Sequence, residues 1–394
     1  MSSYKIKKIN NISDEGLKLF TEKFTVSTEE TDPDGIILRS SPVDVDDYES
    51  LLAVARAGAG TNNINVDRAT ECGICVFNTP GANANAVVEL VFPMLSIWKR
   101  NIYKGIKFCK ELAAMNPEEV NREVEARKSA FKGEEIYGKT LAVVGLGQIG
   151  VRLANGGIHR HMNVNGFDPA PALSNIHQLS PEVRVCRDLD DAVGDADVVS
   201  LHLPLIKSTE GLVDKKFIER MKKGAVLVNY SREPIVDEDA VIAALDSGYL
   251  EGYLCDFPSP ALVRHDKVLA TPHLGASTSE SEENCATMAV KEISNYLKYG
   301  NVVHSVNFPN VESTPGDKVL CRLIVINKDV PGMIAFVSNI FGDNEVNIQS
   351  YLNRSNGIVG YNIIDVETLI PDAVIESIEE NEDVIRTRVI CFVK

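Results

Sequence analysis

Glycines at 145, 147 and 150 stand in the spacing G-x-G-x-x-G, directly after the apolar run Leu141-Ala142-Val143-Val144 and ahead of a stretch with helical character. That setting suits dinucleotide binding. The first glycine permits a tight turn, the second lets backbone approach a pyrophosphate, and the third lets helix pack on strand, with N–H groups and helix dipole facing the anion. A glycine-rich packing turn is the plain alternative; the strand, motif and helix in sequence favour the nucleotide. Asp168 ends the next apolar run, Val164-Asn165-Gly166-Phe167, where a carboxylate accepts both ribose hydroxyls and repels a 2′-phosphate. Pro169-Ala170-Pro171-Ala172 then supplies no cation, so NAD is expected rather than NADP.

Two further residues could do chemistry. Arg232 follows the apolar run Ala225–Asn229, and the ligand crevice of an open α/β sheet lies past the carboxyl ends of its strands. Its guanidinium can bind a carboxylate bidentately and polarise an adjacent carbonyl, which suits a 2-hydroxy or 2-keto acid. Read alone, a solvated loop arginine is the stronger reading. His273, in Thr271-Pro272-His273-Leu274-Gly275, also sits beyond an apolar strand. Imidazole there can exchange a hydroxyl proton as hydride leaves.

The elements that must position these residues read as two sets of βα units. Residues 1–100 alternate short apolar runs with polar helical stretches: Tyr4–Ile9, a helix near 13–24, then runs at 35–39, 52–57 and 74–78. Residues 139–272 repeat the rhythm, which predicts a second parallel sheet. Helical periodicity over 84–115 and 279–299 bridges the two, and the mid-chain fingerprint predicts a cofactor domain inserted into a substrate domain. Breakers in Val302–Gly316 mark a linker, and residues 319–394 read as βαββαβ, a small α+β module. The expected division is 1–97 with 279–305 for the substrate domain, 98–278 for the NAD domain, 306–318 for the linker and 319–394 for the module.

Composition narrows the function. The 394 residues, at about 100 to 200 per domain, imply two or three domains. A formal charge of −16 disfavours broad attraction to nucleic acid or anionic lipid, so an anionic substrate must be held by local cations. The N-terminus lacks a signal-peptide apolar region and charges interrupt every long apolar stretch, so a cytoplasmic protein with no membrane span is expected. Eight scattered cysteines fit reduced thiols. Cys72 and Cys75 form C-x-x-C, but no second pair follows at zinc spacing, so no metal site is expected.

The order and spacing of Gly145–Gly150, Asp168, His202-Leu203-Pro204-Leu205, Asn229-Tyr230-Ser231-Arg232, Asp256 and Thr271-Pro272-His273-Leu274-Gly275 resemble the D-isomer-specific 2-hydroxyacid dehydrogenases, over about residues 1–305. The members acting on 3-phosphoglycerate are the most similar. Arg56-Ala57-Gly58-Ala59-Gly60-Thr61-Asn62-Asn63 and Phe77-Asn78-Thr79-Pro80-Gly81 look like their substrate loops, Leu274–Thr278 extends their histidine motif, and residues 319–394 resemble an ACT domain.

The resemblance implies a Rossmann NAD domain inserted in a flavodoxin-like substrate domain, an α/β fold, with a C-terminal ACT domain. It implies NAD-dependent oxidation of 3-phospho-D-glycerate to 3-phosphohydroxypyruvate, the first step of L-serine biosynthesis. Arg232 becomes the substrate-orienting arginine and His273 the general acid/base. Gln148, Ile149, Pro204, Asn229, Ser231 and Asp256 join Gly145, Gly147, Gly150 and Asp168 around the cofactor. Arg39 and Arg56 face the phosphate, and the amides of Gly58, Ala59 and Gly60 hold the carboxylate. Asn327, Asp329 and Asn347 occupy the places of an amino-acid effector, serine, and the module implies a homodimer or homotetramer. One departure stands out: Ala261 occupies the position of the glutamate that partners the family's histidine, leaving His273 alone or served by another acid such as Asp266. A glyoxylate or hydroxypyruvate reductase, which needs no phosphate-binding arginines, and an NAD-sensing corepressor-like binding protein are the alternatives.

Overall fold

The computed structural model describes residues 3–392; Val393, the last residue of the expected final strand, lies outside it with residues 1, 2 and 394. Five strands, β1 (Tyr4–Lys8), β2 (Phe24–Ser27), β3 (Gly35–Leu38), β4 (Ala53–Arg56) and β5 (Cys75–Phe77), form a sheet in the order β2-β1-β3-β4-β5. Every pairing is parallel, and the order is that of flavodoxin-like doubly wound folds. The helix expected over 13–24 is one turn, Asp14–Leu17, and Phe24 opens a strand instead. Gly16 explains part of this: a Cβ there would lie 2.5 Å from Ala286 Cβ, so the turn seats itself on a neighbouring helix. The alternating, β-branched Phe24-Thr25-Val26-Ser27 suits an edge strand.

Two helices follow, α1 (Ala84–Lys99) and α2 (Ile102–Glu111), where one helical run was expected. Asn101, at a φ of 50°, breaks it. A seven-stranded parallel sheet then contains β6 (Thr140–Val144), β7 (Asn163–Phe167), β8 (Arg184–Val185), β9 (Val198–Leu201), β10 (Val226–Asn229), β11 (Gly252–Cys255) and β12 (Val268–Ala270), in the order β12-β11-β10-β9-β6-β7-β8. Numbered from β6, this is the Rossmann order 3-2-1-4-5-6 with a seventh strand added. Both faces are buried: Leu141 and Val143 of β6 enter one core, Ala142 and Val144 another, as parallel sheets require. Between β6 and β7 runs α3 (Gln148–Ile158).

The long α4 (Ser279–Tyr299) leads to the C-terminal module: β13 (Cys321–Lys328), α5 (Met333–Asp343), β14 (Ile348–Ser355), β15 (Val359–Val366), α6 (Asp372–Glu379) and β16 (Val384–Cys391). Its sheet, β14-β15-β13-β16, is antiparallel throughout. One face carries α5 and α6. The other contributes Ile324, Ile326, Tyr361, Ile363 and Ile390 to a core shared with β1, β3–β5 and α4. At about 1.5–3 kcal/mol for each such side chain, that burial far exceeds thermal energy.

The chain accordingly forms two compact units, one up to Asn83 and again from Glu282, the other Ala84–Ser281. These limits differ from the expected 97/98 and 278/279. Val87, Val91, Phe92 and Leu95 of α1 pack with β6 and α3, which places α1 in the second unit. The thiol expectation is corrected as well. Cys321 and Cys391 are register partners on β13 and β16 and form a disulfide spanning 70 residues, a pairing made by sheet register that cysteine spacing cannot reveal. Among the described residues, no helix is long and apolar enough to cross a membrane.

Candidate functional site

Within each unit, the expected site residues of its parallel sheet lie at the carboxyl ends of the strands. In the unit Ala84–Ser281, β6 runs into Gly145, whose φ is +97° and whose Cβ would strike the His202 carbonyl oxygen at 2.3 Å. Only glycine turns here. A Cβ on Gly147, the residue before α3, would meet nothing within 4 Å, so this backbone faces open space. At Gly150 a Cβ would lie 1.8 Å from the Gly145 carbonyl oxygen, so the helix packs directly on its own turn. These three environments are those a pyrophosphate at a helix N-terminus demands, and the residues present fit a dinucleotide.

Asp168, ending β7, accepts the Leu146 N–H at 2.8 Å and the Ala170 N–H at 2.9 Å. Each carboxylate oxygen keeps a further lone pair for a ribose hydroxyl. Gln148 donates to Asn175 at 2.7 Å and accepts from Arg152 at 2.8 Å, while Ile149 packs on the core beneath. Pro204 offers its carbonyl to Thr209.

At the end of β10 a short relay fixes the arginine. Ser231 donates to the Leu201 carbonyl and accepts the Leu203 N–H, and the buried Asn229 accepts the Ser231 N–H and donates to the Arg232 carbonyl. Arg232 itself is exposed and donates to the Ser231 carbonyl at 2.7 Å. Nearby protein atoms lower its pKa by desolvation, yet its exposure keeps the guanidinium charged. No carboxylate among the described residues forms an ion pair with it, so its charge is available to a ligand.

Asp256, ending β11, is buried and saturated: it accepts from Thr271 Oγ1 at 2.6 Å, the Leu274 N–H at 2.7 Å and the Gly275 N–H at 2.6 Å. It thus builds the loop that carries His273. The His273 N–H donates to the carbonyls of Asp256 and Thr271, at a φ of 58°. Its exposed ring meets Phe257 edge to face, 5.4 Å between centroids. No carboxylate among the described residues hydrogen-bonds that ring: Ala261 carries none and Asp266 does not reach it. Sequence reasoning missed Phe257 and Thr271, which act only through the folded loop. His202, read in the sequence only as part of a motif, lies 2.8 Å from the buried Ser200, where burial pulls the imidazole down to about 3 and keeps it neutral.

In the other unit, Arg39 follows β3 and Arg56 ends β4. Arg56 Nε donates to the Arg39 backbone carbonyl at 2.9 Å, which anchors the Arg56 side chain on the neighbouring strand end. Gly58 has a φ of +156°, which L side chains rarely adopt, and a Cβ there would also crowd Arg56 Nη1 at 2.5 Å. The Gly58 N–H already donates to the Arg56 carbonyl at 2.9 Å, so of the three expected carboxylate-holding amides those of Ala59 and Gly60 are the available ones. Asn78 braces the loop through the Ala59 carbonyl at 2.6 Å. Arg39 Nη1 pairs with Glu282 at 2.6 Å, a partner the sequence did not announce.

In the C-terminal module, Asn327 is buried and accepts from Asn362 at 2.7 Å, which in turn accepts from Asn353 at 2.8 Å. Its amide is committed to the sheet. Asp329 and Asn347 are exposed.

A glycine-rich turn after the first strand of a Rossmann sheet, an acid after the second, and an arginine and a histidine past later strands define an α/β dehydrogenase. Known proteins give the family. Residues 105–275 match the model of the NAD-binding domain of D-isomer-specific 2-hydroxyacid dehydrogenases. The chain is 33% identical over 351 residues to D-3-phosphoglycerate dehydrogenase of Haemophilus influenzae, covering 86% of this chain and 81% of that protein. It is 34% identical to the Bacillus subtilis protein of that name over 70% of this chain, spanning about half, 52%, of that longer protein. The structure of NAD+-bound 3-phosphoglycerate dehydrogenase from Entamoeba histolytica superposes with a TM-score of 0.60 at 26% identity, over 78% of this chain and 99% of that one. The chain belongs to the D-isomer-specific 2-hydroxyacid dehydrogenases and is an NAD-dependent oxidoreductase.

Proposed function

We propose that this chain works in the cytoplasm as a homo-oligomer that oxidises 3-phospho-D-glycerate at C2 to 3-phosphohydroxypyruvate, the step that opens L-serine biosynthesis. The observation that carries this reading is that Arg39 and Arg56 stand at the ends of the paired strands β3 and β4, with Arg56 Nε hydrogen-bonded to the Arg39 backbone carbonyl at 2.9 Å. Two guanidinium groups at one sheet end suit a dianion. Arg232, with no carboxylate partner, orients the 2-hydroxy acid and polarises its C2 oxygen. His273 takes the hydroxyl proton on its imidazole, without a carboxylate behind it and with its loop held by Asp256. The amides of Ala59 and Gly60 take the substrate carboxylate. NAD+, when bound, supplies the hydride acceptor. The identity to two phosphoglycerate dehydrogenases supports the same reading.

The test is an NADH-linked assay of the reverse reaction. The kcat/KM for 3-phosphohydroxypyruvate should exceed those for hydroxypyruvate and glyoxylate by at least about tenfold, the least that binding a charged group supplies. Equal values for the three would favour the reductase reading instead. Run with L-serine at millimolar concentration, the same assay tests the effector role proposed for the C-terminal module through Asp329 and Asn347: inhibition supports it, and unchanged rates refute it.

A further inference from the structure

The end of the five-stranded sheet carries a charge for which the proposed reaction has no use. Glu282 lies in the first turn of α4, where the chain returns to this unit, and its carboxylate sits 2.6 Å from Arg39 Nη1. Both side chains are partly exposed, 35% for Arg39 and 45% for Glu282. An exposed pair of this kind adds little to stability. Beside a bound anion, the same carboxylate acts by direct repulsion and by competition for the guanidinium.

We infer that Glu282 is a positioning and specificity residue for the phosphate end of the substrate. It occupies Arg39 while that end is empty and gives the guanidinium up when a phosphate dianion arrives. This rests on the reading of Arg39 and Arg56 as phosphate-binding residues. Two consequences follow from the geometry. Holding Arg39 at the sheet end spares part of the side-chain ordering that binding otherwise demands. The carboxylate also sets a threshold: it offsets the Arg39 charge, so a weakly charged ligand gains little by breaking the pair. A phosphate carrying close to two negative charges and three acceptor oxygens gains enough. Selectivity against other small anions arises from the repulsive partner as much as from the attractive ones.

The experiment uses the full chain and NADH, with Glu282→Gln, Arg39→Ala and the double variant. Glutamine keeps the shape of the side chain and removes its charge. Initial rates are measured with 3-phosphohydroxypyruvate and with hydroxypyruvate, and inorganic phosphate is titrated as a competitive inhibitor. In Glu282→Gln the ratio of KM for the phosphorylated to the unphosphorylated substrate should fall about three- to tenfold, and the phosphate inhibition constant should fall by a similar factor. In the Arg39→Ala background the same substitution should change that ratio by less than about twofold, because the coupling has lost its other partner. An unchanged ratio in Glu282→Gln, or an equal change with and without Arg39, overturns the inference while leaving the phosphoglycerate reading intact. A native enzyme that prefers hydroxypyruvate overturns that reading, and this inference with it.

Discussion

The two parallel sheets end in sites built by different means. At the end of the seven-stranded sheet, backbone amides hold the carboxylates: Asp168 takes the N–H groups of Leu146 and Ala170, and Asp256 those of Leu274 and Gly275. At the end of the five-stranded sheet stand long cationic side chains, and Arg39 has an exposed carboxylate partner. Ties from backbone amides to a short carboxylate side chain hold a loop firmly, because the backbone has no rotamers to explore and Asp has few; pairs of long side chains are looser and can trade partners. The division matches the tasks. A dinucleotide is recognised by shape at every turnover, whereas on the proposed reading a phosphate would displace Glu282 on arrival and be released afterwards.

Removing the proposed proton acceptor at the end of the seven-stranded sheet should have the largest effect. His273→Ala should lower kcat about 10² to 10⁴-fold while NADH binding, followed by fluorescence titration, persists, because Asp256 builds the loop through backbone atoms. Turnover equal to that of the native enzyme would remove His273 from the chemistry. A smaller effect separates fold from binding within the glycine turn. Gly150→Ala brings a Cβ against the Gly145 carbonyl, and such overpacking costs about 1–3 kcal/mol, so thermal stability and NADH affinity should fall together. Gly147→Ala meets nothing within 4 Å; it should keep the native melting temperature and weaken NADH alone, by about five- to 150-fold if the lost contact is worth the same 1–3 kcal/mol. Should both variants melt early, the turn is a packing feature and the backbone does not face the pyrophosphate.

The same contrast governs what could be read in advance. Gly145, Gly147, Gly150 and Asp168 are legible because their chemistry is local: a strand, a turn and a helix start lie within a dozen residues, and each glycine answers to a backbone demand. α4 is legible over its whole length, Ser279–Tyr299, through its period. The residues that escaped are assembled from distant parts of the chain. Glu282 reaches Arg39 across 243 positions, and Cys321 meets Cys391 through antiparallel register. β2 escaped for another reason: Phe24–Ser27 is short, at a sheet edge, and follows a stretch whose helical period is overridden by the seat of Gly16 on α4. Asn327 was read as facing a ligand, and the neighbouring strand shows where its amide is spent.

α4 carries a second carboxylate that sharpens the contrast between exchangeable and locked partners. Glu292 is buried, one oxygen 2.8 Å from His304 Nδ1 and the other without a partner. Desolvation raises its pKa to about 9 and lowers that of His304. In the unfolded chain the carboxyl releases its proton near its ordinary value of about 4.3, so between the two values the folded state binds more protons and stability falls as pH rises. The His304 shift has the opposite sign, but it acts only below the ordinary histidine value of about 6.5. Above that, the carboxyl alone remains. Relative to Glu292→Gln, which never ionises, the native protein should therefore lose stability from about pH 6.5 to 9, by at most about 1.4 kcal/mol per pH unit for one proton. Melting temperatures of the two proteins across that range check it. A constant difference would mean that Glu292 is already ionised in the fold and that His304 holds no extra proton there over this range.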